Sequence, residues 1–290
     1  MTQPAASPID LSGQVALVSG AGRGLGRAMA EVLARAGATV ALTARTASEL
    51  DETLSIIRAA GGSALTVSAD IADPQAVKKM TQTVRDELGA VDILVNNAGR
   101  TGAPSPIWQM SPEDWRTTFA VNLDGAFLCT QALLPDMIER RRGRIINVAS
   151  GAGLGPIPNG SQYCVSKAAL IRLTECIHAD VNQFQIAAFV IDPGSVRTAM
   201  TEYLIESVEG RTYVPWYREY ILAGNDVPAS LSAQLVLSLA SGKYDQLSGR
   251  FFSVRDNLDL ILQQTDTVID NDLYTLRLHP LAGESENSTG

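Results

Sequence analysis

The chain has 290 residues, 46% hydrophobic and 19% charged, with 31 acidic against 23 basic side chains and a formal net charge of −8. That balance can fill one sizeable α/β core, is too apolar for a disordered chain, and excludes nucleic acid or an anionic membrane as the main partner. No apolar run reaches the roughly 18 residues of a membrane span, and Met1-Thr-Gln-Pro lacks the blocks of a secretory leader.

Val15–Ser19 reads as a first strand, running into Gly20-Ala-Gly22-Arg23-Gly24-Leu25-Gly26 and then a helix closed by Gly37. A strand, a glycine turn and a helix N-terminus make a phosphate cradle: the backbone can come close, and the helix end offers free N–H groups. The glycines follow G-x-x-x-G-x-G rather than G-x-G-x-x-G, yet the strand–helix frame still points to a dinucleotide. The second strand, Thr39–Thr43, ends in Ala44-Arg45, where an NAD-binding fold would carry an acid for the adenosine ribose. Arg45, with Arg23 in the glycine loop, could instead pair a 2′-phosphate, which favours NADP(H) over NAD(H). Thr46 and Glu49 form an expected capping box for the next helix.

Ala64–Ser68 is a third strand leading to Asp70 and Ile71, and Asp73-Pro74 opens the helix after it. Asp92–Asn96 is a fourth, ending in Asn96-Asn97-Ala98-Gly99. Ser111-Pro112 caps a long helix with Asn122 in its middle, a poor helix-interior residue whose placement invites a functional explanation. A basic run from Arg140 to Arg144 suits a helix C-terminus and could also dock a carrier protein. The fifth strand, Arg144–Ala149, delivers Ser150 at its end. The following helix presents Tyr163 and Lys167 one turn apart on one face. A serine can hold a carbonyl oxygen, and an ammonium beside a phenol favours the phenolate, so the trio suits proton transfer.

Ala187–Ile191 is a sixth strand, ending in Asp192-Pro193-Gly194-Ser195-Val196-Arg197-Thr198. Residues 199–226 crowd aromatic side chains between glycines and read as a lid or a subunit interface. A helix over 231–240, a last strand over 249–254 and a further helix from Asp256 follow, with a frayed tail from Gly283 to Gly290. Cys129, Cys164 and Cys176 fall in helical patterns without C-x-x-C spacing and read as reduced core residues, which implies a cytoplasmic protein. His178 and His279 stand far apart, and no metal site is expected.

Strand and helix alternate throughout, so the expected fold is a Rossmann-type, doubly wound parallel sheet of about seven strands with helices on both faces, in one domain. At this point the chain resembles the short-chain dehydrogenase/reductase family over about residues 10–254. The resemblance is carried by Gly20, Gly24 and Gly26, Asp70, Asn96–Gly99, Asn122, Ser150 placed thirteen residues before Tyr163, Lys167, and Pro193-Gly194. It implies Tyr163 as general acid/base, Ser150 as orienter of the reacting oxygen, and Lys167 as the group that lowers the Tyr163 pKa and holds the nicotinamide ribose. Asn122 would bind a relay water, Asp70 the adenine, Asn96 the adenosine side, and Thr198 the carboxamide. Gly22, Leu25, Ile71, Ala98, Gly99 and Val196 complete the implied cofactor contacts.

The resemblance further implies hydride transfer between NADP(H) and a carbonyl or secondary alcohol of a medium-sized, largely neutral substrate, in a homotetramer or dimer. A dinucleotide-sensing protein, a 3-oxoacyl-carrier-protein-type reductase and non-redox chemistry are the alternatives. Ser19 stands where the family more often has Thr. The chain also continues past Val254 to Gly290, an extension expected to pack on a neighbouring subunit or trim the substrate pocket.

Overall fold

Residues 9–278 are described by a computed structural model. The first half alternates β1 (Val15–Ser19), α1 (Gly24–Arg35), β2 (Thr39–Ala44), α2 (Ala47–Ala59), β3 (Ser63–Ser68), α3 (Pro74–Leu88) and β4 (Ile93–Asn96). Then come α4 (Pro112–Phe119), α5 (Gly125–Arg140), β5 (Gly143–Val148), α6 (Ser161–Val181) and β6 (Ile186–Asp192). The rest comprises α7 (Ala199–Glu206), α8 (Val208–Tyr213), α9 (Pro215–Leu222), α10 (Ala229–Ala240), β7 (Phe251–Ser253), α11 (Leu258–Gln263) and α12 (Thr265–Asp270).

The strands form one sheet in the order β3-β2-β1-β4-β5-β6-β7, parallel at every pairing. This is the expected doubly wound sheet. Side chains alternate across it as the strand period demands. Ala16 and Val18 pack with α1 and α10 through Met29, Leu33, Val236 and Leu239. Val15 and Leu17 face α3, α5 and α6 through Met80, Val84, Leu133 and Ile177. The chain leaves β1 in one direction towards β3 and returns on the other side of β1 with β4. The crevice at that reversal, beyond the strands' C-terminal ends, is where such sheets take their ligands.

Local signals succeeded where a side chain had one clear partner. Asp73 accepts the Gln75 amide at 2.8 Å and Ser111 that of Glu113 at 3.2 Å, each capping its helix. The Thr46–Glu49 box does not form: Thr46 makes no capping bond, and Glu49 turns instead to Arg23 at 3.0 Å. The expected long helix is interrupted by a π-turn over Ala120–Asp124, which carries Asn122 between α4 and α5. Cys129 and Cys164 are buried as expected, whereas Cys176 is exposed, because α6 presents that face to solvent.

The basic run is occupied within the chain. Arg140 and Arg142 reach Asp92 at 2.7 and 3.2 Å, and Arg144 makes a two-pronged pair with Asp245 at 2.9 and 2.8 Å. These pairs brace the strands' starting edge, at the opposite end from the ligand crevice. The C-terminal extension also folds on its own chain. Leu258, Ile261 and Val268 join the core, and Tyr274 accepts the Phe251 amide at 2.8 Å, covering part of the open edge of β7. Leu276 and Arg277 tie to Glu175 on α6, each at 2.7 Å. The tail from Gly283 lies outside the described residues. Among those described, no helix is long and apolar enough to cross a membrane, and no group of side chains could hold a metal ion.

Candidate active site

The glycine loop fits a nucleotide phosphate on three observations. Gly20 takes a positive φ of 66°, which a side chain would strain. A β-carbon on Gly26 would lie 2.1 Å from the Gly20 carbonyl oxygen, so only glycine lets α1 close against the loop. The N-terminus of α1 has no side-chain cap and no acid in its first turn, leaving its N–H groups for an anion. Ser19 fastens the neighbouring turn: its Oγ accepts the Asn97 and Ala98 amides at 3.0 and 3.1 Å, while Asn97 Nδ2 donates to the Ser19 carbonyl at 2.9 Å.

Asn96 is turned the other way. Its buried amide donates to Asn147 Oδ1 at 2.8 Å and Thr130 Oγ1 at 3.2 Å inside the protein, so its side chain cannot hold the adenosine side as expected. Asp70 is exposed at the end of β3 and accepts the Ala72 amide at 3.0 Å, with Ile71 buried beside it. Arg45 is exposed and has no ion pair among the described residues. Arg23 is held by Glu49, which makes it the lesser candidate for a 2′-phosphate.

Ser150, Tyr163 and residues of the 199–226 segment line one cavity of about 430 Å³ at the strands' C-terminal edge. Ser150 leaves β5 in extended backbone, and its Oγ accepts the Ala152 amide at 3.2 Å. Burial pushes the Tyr163 phenol up to about 12; the nearby Ser150 hydroxyl works in the opposite direction, while Tyr217 and Asp192 add to the rise. Lys167 is buried, lowered to about 8 by loss of water, and donates to the Val148 carbonyl at 2.8 Å. Its Nζ stands 5.8 Å from the Tyr163 ring centre. In the protein alone, burial is the largest influence on the Tyr163 phenol.

Asn122 is committed at both ends of its amide. Nδ2 donates to the Arg100 carbonyl and to Ser166 Oγ, both at 2.9 Å, and Oδ1 accepts the Arg100 amide at 2.8 Å. The π-turn thus fastens the loop after β4 to α6 through the Asn122 side chain. A β-carbon on Gly99 would meet Asn122 Oδ1 at 3.3 Å and Lys167 Nζ at 3.5 Å, so glycine leaves the space these groups share.

Residues 199–226 form α7, α8 and α9 over the cavity, with Leu204, Val214, Trp216 and Tyr217 facing it. Tyr217 stacks on Tyr220 at 6.2 Å. Tyr213 donates to Gln109 at 3.1 Å and its carbonyl accepts from Asn159 at 2.9 Å, joining this segment to the loop on the opposite wall. Thr198 caps α7, and its methyl lies 3.2 Å from where Gly24 would carry a β-carbon. Pro193, Gly194 and Val196 complete that side of the cavity, and Leu25 reaches it from the glycine loop. Sequence reading passed over Arg100 and Asp114, which are ion-paired and hold the loop with Ala103 N–H donating to Asp114 at 2.9 Å. No local pattern marks that pairing, because it joins a loop to a helix face.

A glycine cradle on a helix end, opening into a cavity that holds a serine and a tyrosine, defines a nucleotide-dependent enzyme of the doubly wound class. A short chain dehydrogenase profile matches residues 14–209. The chain is 30% identical over 280 residues to the short chain dehydrogenase pigC of Monascus ruber, covering 93% of this chain and 89% of that one. It is 37% identical over 195 residues to a 3-oxoacyl-[acyl-carrier-protein] reductase of Synechocystis sp., covering 67% and 78%. The crystal structure of a gluconate 5-dehydrogenase from Burkholderia cenocepacia, in complex with NADP and tartrate, superposes with a TM-score of 0.77 at 30% identity, covering 87% of this chain and 98% of that one.

The chain belongs to the short-chain dehydrogenase/reductase family. It is an NAD(P)-dependent oxidoreductase acting at a carbonyl or alcohol carbon.

Proposed function

We propose that the protein moves a hydride between NADP(H) and a medium-sized, largely neutral ketone or secondary alcohol, with Tyr163 as the proton-transfer group. The observation that carries this reading is the shared cavity lined by Ser150 and Tyr163 beneath the aromatic helices. In reduction, the Tyr163 phenol donates its proton to the carbonyl oxygen while Ser150 Oγ donates a hydrogen bond to it. When bound, NADPH would supply the hydride. Lys167, 5.8 Å from the Tyr163 ring centre, would hold the ribose. Asn122 is a positioning residue that holds the Arg100 loop against α6.

The cradle Gly20–Gly26 would take the pyrophosphate, Asp70 and Ile71 the adenine, and Arg45 the 2′-phosphate. Ala98, Gly99, Pro193, Gly194, Val196 and Thr198 would take the nicotinamide half. A phenol that keeps its proton to about 12 suits reduction at neutral pH, while oxidation should quicken as pH rises and the phenolate becomes accessible. The α7–α9 segment acts as the lid. Three free thiols support a reducing, cytoplasmic setting. Phe127 and Val165, exposed on α5 and α6, support a homo-oligomer, whose mass sedimentation would read directly.

Arg45→Ala tests the cofactor assignment. Its kcat/KM for NADPH should fall about tenfold to hundredfold, the worth of a charge-assisted hydrogen bond. The NADH value should stay put. An equal fall for both cofactors, or a wild type that prefers NADH, would refute the NADP assignment.

A further inference from the structure

Asp192 is an acid in a largely apolar and aromatic cavity. It ends β6 and lines the cavity beside Pro193. Its Oδ1 accepts the Gly194 amide at 3.1 Å and so holds the turn at the base of the lid. Its Oδ2 has no hydrogen-bond partner among the described residues. The turn needs only the first oxygen, which an asparagine would supply equally well. The negative charge is left unexplained by the fold.

Oδ2 faces the reacting end of the cavity. It lies 3.4 Å from the position a β-carbon would take on Gly151, the residue after Ser150. Asp192 stands close enough to Tyr163 to help push its phenol up, and both line one cavity with Ser150, so one small molecule can meet all three. A carboxylate oxygen only accepts, and it loses water when a substrate fills the cavity. A substrate hydroxyl restores a hydrogen bond to it; a plain ketone leaves it unpaired, and an adjacent carboxylate repels it.

We infer that Asp192 is a specificity-determining residue that accepts a hydrogen bond from a hydroxyl next to the reacting carbon. The substrate is then a vicinal diol, or in reverse an α-hydroxyketone. This rests on the reading of Ser150 and Tyr163 as the reacting centre. In oxidation the carbinol C–H bond breaks with its hydride passing to NADP⁺, and the O–H proton passes to the Tyr163 phenolate, which becomes the phenol. The neighbouring hydroxyl stays intact and only donates to Asp192. The lack of a side chain on Gly151 leaves the space for that contact.

The experiment compares 1,2-cyclohexanediol with cyclohexanol as substrates, using NADP⁺ and the full chain. The wild type should favour the diol in kcat/KM by tenfold or more. Asp192→Asn keeps the turn but puts an NH₂ group where the acceptor stood, and should cut that preference at least tenfold without changing the NADP⁺ dissociation constant. Gly151→Ala keeps the charge but fills the space before it, and should cut the preference too. In a Tyr163→Phe background with NADP⁺, the diol should raise Tm more than cyclohexanol does, and Asp192→Asn should erase the difference. An unchanged preference in both single variants overturns the assignment and leaves the oxidoreductase in place. Reduction of simple ketones with no oxidation of the diol overturns the substrate class. No redox turnover of any substrate overturns the reading beneath it.

Discussion

Tyr163→Phe should lower turnover by about 10²–10⁴-fold, the usual worth of a positioned acid/base group. The substitution removes one oxygen and keeps the ring, so packing beneath the lid should be undisturbed and NADPH should bind as before. The size of the loss follows from the cavity's composition. Ser150 is the neighbouring hydroxyl, but its ordinary acidity is far too low to release a proton at neutral pH, and it already accepts the Ala152 amide. Lys167 is turned to the Val148 carbonyl. Stopped-flow absorbance at the reduced-cofactor band, with binding followed by fluorescence, separates the two effects. Turnover within threefold of wild type would mean that another group, or water, delivers the proton.

Lys167→Met should abolish efficient turnover and also remove a pH-dependent part of the protein's stability. The wild-type ammonium is buried, and its pKa falls from 10.5 to about 8. Below pH 8 both folded and unfolded chains hold the proton, and the folded chain bears the full cost of a desolvated charge. Between pH 8 and 10.5 the unfolded lysine binds a proton that the folded one has released, so wild-type stability rises with pH across that window. At about 1.4 kcal/mol per pKa unit the gain across the whole window is about 3–4 kcal/mol. Tyr163 opposes it only above pH 10, where the unfolded phenol ionises first, and that contribution is common to both proteins. Loss of the hydrogen bond to Val148 offsets the methionine's advantage by an amount independent of pH. Urea unfolding from pH 7 to 10 should therefore show two curves that differ in slope. Parallel curves would mean that Lys167 keeps access to water.

These effects also mark where the sequence was legible. The glycine loop, the strand ends and the spacing of Ser150, Tyr163 and Lys167 were readable because each depends on a local period: two along a strand, 3.6 along a helix. Asn96 and its neighbour Asn97 were not separable. Successive residues at a strand end point to opposite sides, and only the sheet's packing puts Asn97 on the loop and Asn96 in the core. Asn122 was noticed as an unfavourable helix residue, but the π-turn that employs its whole amide depends on contacts with Arg100 and Ser166.

The Tyr163–Lys167 pairing was visible as a spacing; the balance between charge and burial was not. Desolvation depends on which elements the fold packs around each group, such as the end of β5 over Lys167, and no local pattern carries that. The arginines at 140–144 show the converse limit. As a sequence they are a basic patch; in the fold Arg140, Arg142 and Arg144 pair with Asp92 and Asp245, and Arg141 donates to the Gln183 carbonyl.

The most direct test of the account follows the hydride itself. NADPH carrying deuterium on one face of its C4 carbon would be incubated with the protein and a panel of cyclic ketones and α-hydroxyketones, and the alcohols analysed by mass spectrometry. The account predicts one deuterium on the new carbinol carbon, from one C4 face only, and its loss in Tyr163→Phe. Alcohol formed without deuterium from either face, or no alcohol from any ketone while NADPH is bound, would contradict hydride transfer at this site.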